Sequence, residues 1–86
     1  MDHFVKDRVV VITGGSSGFG LESARILLEM GAKVVITGRS SNRLDAAARD
    51  LNHPNLLPVQ ADAVRTEDWR RLIATAMDRF GRIDVL

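Results

Sequence analysis

Apolar residues follow two alternating rhythms along this chain. Unbroken, β-branched runs stand at Val9-Val10-Val11-Ile12 and Val34-Val35-Ile36, and a third apolar stretch runs over 56–61. Short continuous runs of this kind fit parallel strands covered on both faces. Between them the apolar positions recur every three or four residues: Leu21, Ala24, Leu27 and Leu28, then Leu44, Ala47, Ala48 and Leu51. A last set, Trp69, Leu72, Ile73, Ala76, Met77 and Phe80, keeps the same helical period. The rhythms predict strands over 8–13, 33–37 and 56–61 and helices over 19–30, from a Ser41 or Asn42 cap, and from a Thr66 cap. Gly31 and Gly81 end the first and third helices, and His53-Pro54-Asn55 breaks the second. Glu67 and Asp68 complement the third helix dipole. Pro58 places the third strand at a sheet edge, and 83–86 begins a fourth strand. The order βαβαβαβ predicts an α/β parallel sheet with right-handed crossovers. In a doubly wound order 3-2-1-4, the first two helices cover one face and the third the other.

The first strand runs into Thr13-Gly14-Gly15-Ser16-Ser17-Gly18-Phe19-Gly20, and the first helix opens from it. A strand that ends in a glycine-rich turn before a helix builds an anion site. Glycine lets the backbone come close, and the helix start offers free N–H groups and the positive end of its dipole. The spacing decides which phosphate ligand fits. G-x-G-x-x-G is absent. A G-x-x-x-x-G from Gly15 to Gly20 is followed by Leu21-Glu22, so the lysine and hydroxyl of an ATPase loop are missing. T-G-x-x-x-G-x-G remains, carried by Gly14, Gly18 and Gly20.

Two further strand ends add to this. The second strand ends in Thr37-Gly38-Arg39-Ser40, where dinucleotide folds meet the adenosine ribose. No acid stands over 37–42 to accept the ribose hydroxyls, whereas Arg39 can bind a phosphate bidentately and Ser40 and Arg43 can add contacts. Ser17, just before the middle glycine, brings no basic residue to the loop. After the third strand, Asp62 either accepts from an adenine amino group or orders the turn before Thr66; the sequence favours neither.

These motifs, in this order, resemble the short-chain dehydrogenase/reductase family, and the helix end Arg79-Phe80-Gly81-Arg82-Ile83-Asp84-Val85-Leu86 extends the resemblance over essentially the whole chain. The resemblance implies a Rossmann-like sheet and an NADP(H) cofactor, with NAD(H) the weaker expectation. It implies that the backbone around Ser16, Ser17, Gly18 and Phe19 holds the pyrophosphate, while Gly14 and Gly20 permit the turn and the close packing. Arg39 and Ser40 would then hold the 2′-phosphate, and Asp62 and Ala63 the adenine. The whole protein would move hydride between nicotinamide and a carbonyl or alcohol carbon. The family's Asn-Asn-Ala-Gly segment, catalytic Ser and Tyr-x-x-x-Lys pair have no counterpart here, and the chain has no tyrosine. The expectation is one partial cofactor-binding domain over 1–86, cut in its fourth strand and without catalytic residues of its own. The alternative is a free-standing or decayed nucleotide-binding module without catalysis.

Composition excludes several other functions. Twelve basic and 11 acidic residues, interspersed, give a formal charge of +1, which argues against nucleic-acid and membrane partners. With no cysteine there is no disulfide, thiolate metal site or thiol nucleophile. His3 and His53 stand apart, so no metal site is expected. The apolar runs are too short to span a bilayer, and a cytoplasmic protein is expected, forming a homo-oligomer only as part of a longer parent. The Trp69–Phe80 stripe reads as core. Arg70 and Arg71 with Glu67, Asp68 and Asp78 read as a solvated helix face.

Overall fold

The computed structural model describes residues 5–16 and 18–85. Strands and helices alternate as β1 (Val9–Thr13), α1 (Gly18–Glu29), β2 (Lys33–Gly38), α2 (Ser41–Leu51), β3 (Leu56–Gln60) and α3 (Thr66–Phe80). The strands are parallel in the order β1-β2-β3. Val9 lies opposite Lys33, and Val34 opposite Leu56. Pro58 sits in β3 at the sheet edge, as its missing N–H requires. The expected fourth strand appears as a single parallel bridge of Val85 to Val10, on the free side of β1. That is its place in the order 3-2-1-4; Leu86 lies outside the described residues.

Alternation along the strands sends side chains to opposite faces. On one face Val34, Ile36 and Leu56 pack with Ala24 and Leu28 of α1 and with Leu44 and Ala47 of α2. On the other, Val9, Val11, Val35 and Val59 pack with Leu72 and Ala76 of α3. The doubly wound arrangement follows from that division.

Three expectations need correction. Ser40, not Ser41 or Asn42, caps α2, its hydroxyl accepting the Arg43 N–H at 3.3 Å. Thr66 does not cap α3; the cap position falls on Arg65, whose side chain has only donors and so gives no side-chain cap, while its N–H closes a turn onto the Asp62 carbonyl at 3.0 Å. The α3 stripe is also not core throughout, since Ile73 and Met77 are 40% and 45% exposed.

Beyond α3 the chain returns to the start of β1 and is fastened there. The Asp84 carboxylate accepts the Val9 N–H at 2.8 Å and pairs with Arg82 at 2.5 Å and with Arg8 at 3.7 Å. Only 12% of the Asp84 side chain is exposed. The Arg82 hydrogen bond, then the Val9 N–H, hold its carboxyl below the usual carboxylate range. A carboxyl depressed by folding contributes stability that is full above its unfolded value, about 4, and is lost as pH falls through the folded value. Asp84→Asn should therefore melt below wild type at pH 7, with the gap narrowing below about pH 4. Melting curves at pH 7 and pH 3 test this; an equal gap at both would show that the charge of Asp84 contributes nothing.

Candidate functional site

Because the strands are parallel and in register, their carboxyl ends lie side by side. The Gly14 N–H donates to the Thr37 carbonyl at 2.9 Å, and the Ala61 N–H to the Gly38 carbonyl at 3.0 Å. The loops leaving these ends diverge and leave a cleft of about 370 Å³. Its walls are Thr13 and Gly14 after β1, Thr37, Gly38 and Arg39 after β2, and Ala61, Asp62, Ala63 and Val64 after β3. This crevice outside the carboxyl ends is where open α/β sheets take ligands.

The glycine loop is shaped by steric limits. Gly14 and Gly18 have φ of 70° and 58°, with open space where a side chain would be. Gly20 is different: a Cβ there would stand 2.4 Å from the Gly14 carbonyl oxygen, so the first turn of α1 rests directly on the loop. Gly15, which the motif treats as a free position, is equally constrained, since its Cβ would meet Ile36 Cγ2 at 2.6 Å. No carboxylate stands in the first turn of α1, so nothing there opposes an anion. Ser16 is half-buried and its hydroxyl lies near Gly38. Phe19 is 93% exposed. Ser17 lies outside the described residues.

At the end of β2, Arg39 is exposed and its guanidinium makes no ion pair among the described residues. Its carbonyl accepts from Gln60 Nε2 at 3.1 Å. The Ser40 hydroxyl caps α2 as an acceptor and keeps its proton to donate. Arg43 is exposed in the first turn of α2. The Thr37 hydroxyl oxygen, in a residue only 2% exposed, has no hydrogen-bond partner among the described residues and borders the cleft.

After β3, Asp62 does order its turn, with Oδ1 accepting the Val64 N–H at 3.1 Å; its other oxygen takes no described donor. Two residues of the expected solvated face of α3, Asp68 and Arg71, are engaged here, and so is Trp69 of its apolar stripe. Asp68 accepts the Asp62 N–H at 2.7 Å, Trp69 Nε1 donates to the Ala63 carbonyl at 2.5 Å, and Arg71 donates to the Gln60 carbonyl. Helical periodicity gave no sign of these three. His53 serves its own turn, Nδ1 accepting the Asn55 N–H at 3.1 Å; His3 is outside the described residues. Among the described residues no cluster of His, Asp or Glu could hold a metal, and no helix is long and apolar enough to cross a membrane.

The chain as a whole is similar to known proteins. An uncharacterized oxidoreductase of Staphylococcus saprophyticus is 44% identical over 95% of this chain, which covers 33% of that protein. The 11-beta-hydroxysteroid dehydrogenase A of Sesamum indicum is 41% identical over 95% of this chain and is covered to 24%. Among solved structures, a short chain dehydrogenase from Bacillus anthracis superposes with a TM-score of 0.88 at 42% identity, over 94% of this chain and 34% of its own. The 3-ketoacyl-(acyl-carrier-protein) reductase from Brucella melitensis, complexed with NADH, gives 0.88 at 32% identity, over 94% and 33%. The chain thus spans about a third of the length of these proteins or less. The sequence pattern described as short chain dehydrogenase matches residues 8–86, nearly all of the chain, which therefore belongs to the short-chain dehydrogenase/reductase family.

Proposed function

We propose that residues 1–86 form a single dinucleotide-binding domain and the cofactor-binding part of an NADP(H)-dependent oxidoreductase acting on a carbonyl or alcohol carbon. The observation that carries the choice of NADP is the end of β2. Gly38 leaves room there, Arg39 presents a guanidinium with no ion pair among the described residues, and no carboxylate stands over 37–42 to repel a 2′-phosphate. The NADH in the Brucella reductase supports a dinucleotide of this class in the cleft.

The cleft residues fit such a ligand. The open space at Gly14 and Gly18 admits a pyrophosphate to within backbone N–H reach, and the start of α1 adds its dipole. The unpartnered Thr37 hydroxyl offers a buried polar atom for the ligand to satisfy. In this reading the backbone at Ser16, Ser17, Gly18 and Phe19 holds the pyrophosphate, and Gly14 and Gly20 bring loop and helix into position. Arg39 and Ser40 hold the 2′-phosphate, and Asp62 and Ala63 the adenine. The bound cofactor supplies the hydride chemistry. The residues of this chain bind and orient it, and none of them is assigned to proton transfer.

Calorimetric titration with NADPH and NADH tests the proposal. Wild type should prefer NADPH, and Arg39→Asp should weaken NADPH by about tenfold or more and reverse the order. Equal affinities in wild type, or a preference unchanged by the substitution, would remove Arg39 as the selector.

A further inference from the structure

We infer that Asp68 is a positioning residue for the adenine end of the cleft, fixing the backbone of Asp62 and Ala63 from outside the site. The inference rests on the cofactor reading given above.

Asp68 is the third residue of α3. An acid at that position commonly reaches back to the N–H of the helix cap residue. Here that N–H, on Arg65, is already donated to the Asp62 carbonyl at 3.0 Å. The Asp68 carboxylate instead passes the cap and accepts the Asp62 N–H at 2.7 Å. Its other oxygen lies 3.8 Å from Arg71 Nη2, and only 22% of the side chain is exposed. The next helix residue, Trp69, holds the Ala63 carbonyl at 2.5 Å. Asp62 then holds the Val64 N–H with its own Oδ1 at 3.1 Å.

Three consecutive loop residues thus each have a backbone group tied down, two of them by side chains of α3. Without Asp68 the Asp62 N–H has no described acceptor, and the loop becomes free to turn that group toward water. A wall ordered in advance costs a ligand less to bind. Adenosine is common to NAD and NADP, so Asp68 acts on both equally. That separates it from Arg39, which acts on the ratio.

The experiment compares wild type, Asp68→Ala and Asp68→Asn. Asparagine keeps an acceptor oxygen for the Asp62 N–H and loses only the charge facing Arg71. NADPH and NADH are titrated by calorimetry, and amide exchange at Asp62 is followed in the free protein. Asp68→Ala should weaken both dinucleotides by about 3–10-fold with their ratio unchanged, and should speed exchange at Asp62. Asp68→Asn should bind within about twofold of wild type and keep Asp62 protected. If wild type binds both dinucleotides and Asp68→Ala binds them equally well, the inference fails alone. It also fails if Asp68→Asn weakens binding by more than threefold, which keeps the question decidable should the alanine variant not fold. If wild type binds neither dinucleotide, the cofactor reading fails and takes this inference with it.

Discussion

Gly20→Ala should abolish measurable dinucleotide binding, a loss of more than about 100-fold, and should destabilise the fold by about 1–3 kcal/mol. The added methyl would stand 2.4 Å from the Gly14 carbonyl oxygen and 3.0 Å from Gly15 Cα. Both obstacles are backbone, so no rotamer change relieves them. Either α1 withdraws from the loop or the loop gives up its shape, and each takes the helix start away from the proposed pyrophosphate position. Gly81→Ala is the control. That glycine has φ of 80° and open space around it, so alanine there is strained without touching the cleft. Denaturant melts and NADPH titrations of both variants decide the matter. Wild-type affinity in Gly20→Ala would mean that loop and helix are not in the contact described.

Leu72→Ala should cost about 2–5 kcal/mol, the usual range for emptying a buried leucine site. Leu72 is 1% exposed and packs among Val9, Val11, Val35, Val59 and Ala76. Among the described helices α3 alone covers this face, so a cavity here has no second helix to collapse against. Native domains are stable by about 5–15 kcal/mol, and a chain of this length sits toward the low end. The variant should therefore lose a large part of its stability and melt roughly 10–30 °C lower. Ile73→Ala, one residue along but 40% exposed, should cost less than about 1 kcal/mol. Thermal melts of the two variants provide the comparison. Equal losses would show that α3 packs in a rotation other than the one described.

Much of this architecture was legible because its causes are local. Val9 to Ile12 and Val34 to Ile36 are β-branched runs, each followed two residues later by glycine, and such runs have few other uses. The glycine loop was legible for the same reason, since strand, turn and helix adjoin in sequence. What stayed hidden depended on tertiary register. Gly15 looks free in the motif; only the pairing of β1 with β2 presses it against Ile36. Asp68 and Arg71 lie on the polar face of α3 and Trp69 on its apolar stripe, and helical periodicity does not say which residue of either face reaches a neighbouring loop. Ser40, Ser41 and Asn42 can all cap a helix, and the choice fell to the residue whose hydroxyl meets the Arg43 N–H. At Asp62 the structure shows the turn-ordering role that the sequence could only offer as one of two.

Pro58 has a consequence for how this sheet meets other molecules. Asn55 and Ala61 direct their bonded groups to β2, so by alternation the backbone groups of Leu56, Pro58 and Gln60 face the open side of β3. The Leu56 N–H is taken by the His53 carbonyl at 3.2 Å, Pro58 has no N–H to give, and the Gln60 carbonyl is occupied by Arg71. An incoming strand from a second chain finds no continuous ladder there, so edge-to-edge growth of the kind that seeds aggregates is blocked on that side. The sheet can be extended only past β1, where Val85 already marks the first rung.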